Sequence, residues 1–106
     1  MTNQNTKHIL TIGLNDQHTY TQKYDTITAY KMIEQILAPR TNGYTMYETH
    51  GGYQHENGTF ISETSIRVEL MFISQTQVFI IANEIKTALN QESIAYETIT
   101  SNSQLI

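Results

Sequence analysis

Apolar positions alternate with period two in some stretches of the chain and recur every three to four residues in others, and the switches between the periods predict its elements. His8, Leu10, Ile12 and Leu14 alternate with Lys7, Ile9, Thr11 and Gly13, which predicts a first, largely buried strand. Residues 1–6 before it are polar and expected as a loose tail. Asn15–Tyr24 is polar and rich in turn formers. Asp25 or Thr26 then offers an N-cap to a helix with Ala29, Tyr30, Ile33, Ile36 and Leu37 on one face, and Pro39 stops it. After the loop Arg40–Gly43, two strand-like runs, Tyr44–Tyr53 and Phe60–Ile73, flank His55-Glu56-Asn57-Gly58. An Asn-Gly pair favours positive φ, so this is a hairpin signal.

In the second hairpin strand Ile66, Val68, Leu70 and Phe72 fall on one side and Ser65, Arg67, Glu69 and Met71 on the other. One face is therefore core and the other mostly exposed. Ser74 with Gln77 three residues on is a capping-box pattern. It opens a second helix with Val78, Ile81, Ala82, Ile85, Ala88 and Leu89 inward, while Phe79 and Ile80 fall off the stripe. Ile94–Ile99 is expected as a last short strand, and Thr100–Gln104 as a loose polar tail ending in Leu105 and Ile106.

The order β-α-β-β-α-β is that of the ferredoxin-like split β-α-β fold, an α+β arrangement with a four-stranded antiparallel sheet and both helices on one face. With 106 residues the chain is expected to be a single domain with one core. The opposite sheet face is left for solvent, a ligand or another subunit. Ile9, Tyr47 and Met71 on that parity favour a partner, so a homo-oligomer, dimer or trimer, through the sheet is expected.

Composition narrows the function classes. Only six Lys and Arg are present against ten Asp and Glu, giving a net charge of -4, so binding driven by phosphate contacts with nucleic acid is not expected. Without Cys there is no disulfide, thiolate metal site or thiol nucleophile. No apolar run is long enough to span a membrane and the N-terminus has no apolar leader, so a cytoplasmic protein is expected.

Candidate chemistry concentrates at the hairpin. Glu48, His50, His55 and Glu56 supply imidazole and carboxylate donors suited to a divalent ion, with Glu48 and His50 two apart on one strand face. Nothing in the spacing makes the four converge, and the plainer reading is polar residues on an exposed strand and turn. His50 with Glu48 or Glu63 also has the composition of a general acid-base pair. No nucleophile elbow, glycine-rich phosphate loop or cofactor fingerprint accompanies it. Gly51-Gly52 inside a strand marks either a bulge or a close backbone approach. Asn90 suits a helix C-cap, after which Gln91-Glu92-Ser93 leads into the last strand. If Glu92 and Ser93 face the Asn15–Tyr24 loop or the hairpin, they line a cleft at one sheet end. Tyr20, Tyr24, Tyr47 and Tyr53 offer flat faces with a hydroxyl and complete the candidate ligand-binding set.

Gly43-Tyr44-Thr45, Gly52-Tyr53, Glu63-Thr64-Ser65 and Gln91-Glu92-Ser93-Ile94, in this order, resemble the pattern of a bacterial family known only as a domain of unknown function. Tyr53 stands where that family often has Trp. The strand order and the glycine-containing segment before the turn are similar, more distantly, to PII-type signalling proteins and divalent-cation tolerance proteins. That resemblance implies a trimeric ferredoxin-like assembly with an inter-subunit cleft. The long basic loop of PII proteins is missing, so nucleotide binding of that kind is not implied.

Three functions are compatible with these features: a non-catalytic regulatory or small-ligand-binding module with a cleft between subunits, a protein-interaction module such as a small phage- or mobile-element-encoded inhibitor, and a divalent-metal-dependent protein or enzyme using the hairpin His and Glu residues. The first is preferred.

Overall fold

The structure, a computed structural model, describes residues 3–106. Its elements are β1 (Asn3–Gly13), α1 (Thr26–Leu37), β2 (Thr45–Gln54), β3 (Phe60–Leu70), α2 (Gln75–Ala88) and β4 (Ala95–Gln104). The strands pair antiparallel in the order β2-β3-β1-β4. Leu10 and Ile12 of β1 with Ile66, Val68 and Leu70 of β3 meet Ala29, Ile33 and Leu37 of α1 and Val78, Ile81 and Ile85 of α2 in one buried cluster. This is the ferredoxin-like arrangement the periodicity predicts. Among the described residues no helix is long and apolar enough to cross a membrane.

Local chemistry sets the helix starts. Asp25 Oδ1 accepts the Thr28 backbone N–H at 2.7 Å, and Ser74 Oγ accepts that of Gln77 at 3.2 Å. Each cap satisfies a donor that the first helical turn leaves free. Ser74→Ala is expected to lower unfolding free energy by about 1 kcal/mol, read as a reduced urea midpoint at unchanged slope.

The hairpin turn departs from the Asn-Gly expectation. Only Gly58 has positive φ, at 87°, while Gly58 N–H donates to the His55 carbonyl and His55 N–H to the Thr59 carbonyl. These bonds make a three-residue loop, a turn followed by one left-handed glycine. Asn57 instead accepts the Thr59 N–H through Oδ1. There is no bulge at Gly51-Gly52, because the register runs unbroken from Thr45↔Glu69 to Gln54↔Phe60. Gly52 marks a close approach instead: a Cβ there would stand 2.9 Å from the Ile61 carbonyl oxygen and collide with the Phe60 ring.

Both polar ends belong largely to the sheet. Thr100–Gln104, expected as a tail, continues β4, and β1 starts at Asn3, with Asn3↔Gln104 and Thr6↔Thr100 in register across an irregularity between Gln4 and Thr6. A ladder needs backbone donors and acceptors, not apolar side chains, so period-two burial misses such a segment. Met1 and Thr2 of the expected N-terminal tail lie outside the described residues.

The open sheet face is less apolar than expected. Ile9 lies on it but is only 3% exposed, flanked in register by Glu69 and Glu97. Lys7 pairs with Glu69 at 3.3 Å, Arg67 pairs with Glu97 at 2.7 Å, and the Tyr47 hydroxyl donates to Glu69 at 2.6 Å. Of the residues expected to attract a partner there, Met71 remains a large exposed side chain free of such a pairing.

Candidate functional site

At the end of β1 the chain leaves the sheet beneath the hairpin, and there Gly13, Glu63, Tyr20, Tyr53, Glu92 and Ser93 line a half-open cleft of about 320 Å³. That volume sits at the lower end of the roughly 300–1,000 Å³ range of small-molecule pockets. Glu63 extends from β3 just past the last β1–β3 pair, Gly13↔Ser65. Its Oε2 accepts the Asn15 backbone N–H at 3.0 Å. Gly13 makes this possible, since a Cβ at that position would lie 2.6 Å from the Glu63 carboxyl carbon.

The cleft's second wall is the loop after β1. Asp16 is buried; its Oδ2 accepts Asn90 Nδ2–H at 2.9 Å and its Oδ1 accepts the His18 N–H at 2.9 Å. Gln91 Nε2–H donates to the Asn15 carbonyl at 2.7 Å, so the α2–β4 junction and this loop are stitched together. Asn90 stands just past the Leu89 cap in a left-handed conformation, φ 50°, a usual way for a helix to end. The cleft lining carries the carboxylates Asp16, Glu63 and Glu92 and no Lys, Arg or His. Its field therefore favours a cationic or hydrogen-bond-donating ligand over a phosphate-rich one.

The Asn90 bond and the His18 N–H hold the Asp16 carboxyl below its ordinary value of 3.8. A depressed folded pKa means a contribution fully present above the unfolded value and lost as pH falls through the folded one. The melting temperature is expected to decline below about pH 4, and Asp16→Asn to flatten part of that decline. Asp25 and Glu69 are also depressed, chiefly by the Thr28 backbone N–H and the Tyr47 hydroxyl, so they account for the remainder.

Of the tyrosines singled out from sequence, Tyr20 and Tyr53 stand in this cleft, beside Glu92 and Ser93. Tyr24 packs against the core with Lys23 Nζ 5.6 Å from its ring centroid, and Tyr47 is tied to Glu69 on the open face, so neither lines the cleft. The hairpin histidines separate. His50 Nε2 lies 2.9 Å from Glu48 Oε2 at the exposed sheet edge, whereas the His55 ring meets Tyr20 edge-on at 4.9 Å. Among the described residues no group of three His, Asp or Glu side chains converges as a metal site would require. Asp16 and Gln91 were not foreseen as lining residues, and Glu63 was read only as a partner for His50. Asp16 and Gln91 follow the end of a strand and of a helix, and Glu63 lies where β1 stops pairing with β3, so only the packing brings the three together.

No family model matches the chain and no curated protein matches it, so the expected family of unknown function gains no support. Solved structures do match. A phage SAM lyase in complex with S-methyl-5'-thioadenosine is similar at TM-score 0.69 and 18% identity, over 91% of this chain and 81% of that one. The divalent cation tolerance protein CutA from Archaeoglobus fulgidus is similar at TM-score 0.62 and 10% identity, over 93% and 87% of the two chains. The B. subtilis GlnK-ATP complex, a PII-type structure, is similar at TM-score 0.54 and 15% identity, over 91% and 82%. At these identities the likeness is one of fold: the chain shares the α+β arrangement of these structures.

Proposed function

We propose that the protein binds and cleaves a cationic adenosyl sulfonium of the S-adenosylmethionine kind in the Glu63 cleft, as a homotrimer in which a neighbouring copy closes each cleft. The observation that carries this reading is the lining charge: three carboxylates and no cationic side chain. A sulfonium and an ammonium are stabilised by such a wall, whereas the triphosphate of ATP is repelled by it. Tyr20 and Tyr53 add ring faces that suit both an adenine and a sulfonium cation. The phage SAM lyase of similar fold, solved with S-methyl-5'-thioadenosine, supports the same ligand class.

The chemistry suits a site without a nucleophile of its own. When the carbon–sulfur bond of a sulfonium breaks, the electron pair leaves with sulfur as a neutral thioether, so no acid is needed to protonate the leaving group. The substrate itself supplies the other bond: an oxygen of its own carboxylate attacks the carbon that leaves sulfur, so a carbon–oxygen bond closes a lactone as the carbon–sulfur bond breaks, and no water or added nucleophile is consumed. The chain's carboxylates hold the cation in place, and the neutral thioether product is held less tightly than the charged substrate. Trimer formation follows the resemblance to PII-type and divalent-cation tolerance proteins, with the open sheet face as the surface left for it. A half-open cleft needs another wall to bury most of a ligand.

A second reading, ligand sensing without cleavage, keeps the same cleft and assembly. It is favoured by the similarity to a PII-type structure. One experiment separates the two: incubation with S-adenosylmethionine, followed by native mass spectrometry and liquid chromatography. A trimer that releases S-methyl-5'-thioadenosine supports the lyase reading. A trimer that retains intact S-adenosylmethionine supports sensing. A chain that binds neither molecule removes both.

A further inference from the structure

Tyr20 is a non-glycine residue held at φ 57°, a left-handed conformation that costs an aromatic residue energy and persists only where surroundings impose it. The hydrophobic core does not impose it, because the side chain is 45% exposed and touches the His55 ring rather than the buried cluster. The backbone of Asp16 does. Tyr20 N–H donates to the Asp16 carbonyl at 2.9 Å and Asp16 N–H to the Thr21 carbonyl at 2.8 Å, closing the turn on both sides of Tyr20. Asp16 is in turn immobilised by Asn90, which also receives Gln17 Nε2–H at 2.9 Å. A buried carboxylate in a surface loop is expensive unless its bonds matter. What this one secures is a strained aromatic ring on the wall of the cleft.

We infer that Asp16 is a positioning residue: locked to Asn90, it holds Tyr20 in its left-handed conformation so that the phenol ring forms a fixed face of the cleft and selects ligands carrying a flat ring. The inference rests on the reading of this cleft as the ligand site. The ring faces the hairpin as well, through His55, so the clamp spans the loop after β1 and the tip of the β2–β3 hairpin. Asp16 itself does not have to touch the ligand. Its effect passes through the backbone of the turn.

The test uses the 106-residue chain and S-methyl-5'-thioadenosine as probe. Asp16→Ala is expected to weaken its binding about tenfold or more and to abolish the nuclear Overhauser contact between the Tyr20 and His55 rings. The exchanged pair Asp16→Asn with Asn90→Asp restores both, because the amide and carboxylate trade places across the same bond and both residue types tolerate the left-handed conformation at position 90. Tyr20→Gly relieves the backbone and removes the ring, so it keeps or raises the melting temperature while losing affinity to the same degree. A purely structural Asp16 predicts the opposite pattern: affinity at wild-type level in folded Asp16→Ala, or in Tyr20→Gly, overturns the inference. If the wild-type protein binds neither S-adenosylmethionine nor S-methyl-5'-thioadenosine, the functional reading fails on its own, and the ring contact alone decides the positioning role. Its persistence in Asp16→Ala overturns that role, and its loss there supports it.

Discussion

Glu63→Gln is expected to weaken S-adenosylmethionine binding about tenfold while lowering stability by no more than about 1 kcal/mol. Glutamine is isosteric and its amide oxygen still accepts the Asn15 N–H that Glu63 Oε2 receives at 3.0 Å. What disappears is the charge. A hydrogen bond to a charged group contributes about 1.5–3 kcal/mol against about 0.5–1.5 for a neutral one, and each 1.4 kcal/mol is a factor of ten in affinity. The remaining wall carboxylates, Asp16 and Glu92, do not substitute, because Asp16 is already occupied by Asn90 and His18 and Glu92 is exposed. Titration calorimetry at two salt concentrations reads the result. Equal affinity of wild type and Glu63→Gln at low salt would remove Glu63 from the site.

Gly13→Ala is expected to reproduce that loss of binding and to add a modest stability cost of about 1 kcal/mol, because the methyl meets the flexible end of Glu63 rather than backbone and what is lost is the bond to Asn15 N–H. The new Cβ would stand 2.6 Å from both the Glu63 carboxyl carbon and its Oε1, so the carboxylate has to swing off β1. Once it does, Asn15 N–H loses its partner. The two substitutions act on one group, and the double variant Gly13→Ala/Glu63→Gln should bind no worse than the weaker single variant. Additive losses would mean that Gly13 affects the cleft by another route. The contrast is Gly43, where a Cβ meets nothing within 4 Å and Gly43→Ala should be silent.

The open face bears on assembly differently from what its sequence parity suggests. Ile9, Tyr47 and Met71 read as an apolar invitation to a partner, yet Ile9 is covered and Tyr47 donates to Glu69. Two ion pairs, Lys7–Glu69 and Arg67–Glu97, dominate the surface between them. Partly exposed pairs of this kind contribute little to stability but discriminate sharply between correct and incorrect partners. The Nε of Arg67 is buried with no hydrogen-bond partner within the described chain.

Much of the local architecture could be read directly from residues. The Asp25 and Ser74 caps, the stop after α1, the hairpin and the inward stripes of both helices depend on interactions within a few positions of each other, and residue type decides those. The failures share a cause. Thr100–Gln104 pairs with the start of β1 across almost the whole chain, and the close approach at Gly52 is made by Phe60 on the neighbouring strand, so neither leaves a local trace. The polar residues divide in the same way: Glu48 and His50, two apart on one strand face, lie 2.9 Å from each other, while His55 turns to Tyr20, a residue on a different loop.

Order and type of elements and the inward stripes of both helices were determined by the amino-acid sequence alone, because periodicity and capping are local properties. The cleft was decided only by tertiary structure. Glu63 reaches Asn15 across 48 positions and Asn90 reaches Asp16 across 74, contacts that exist because the β1–β3 register ends at Gly13 and α2 delivers its last turn to the same corner. Side chains that far apart acquire a joint chemistry only when the core has fixed the strand register and the helix positions between them, and no spacing along the chain encodes that distance.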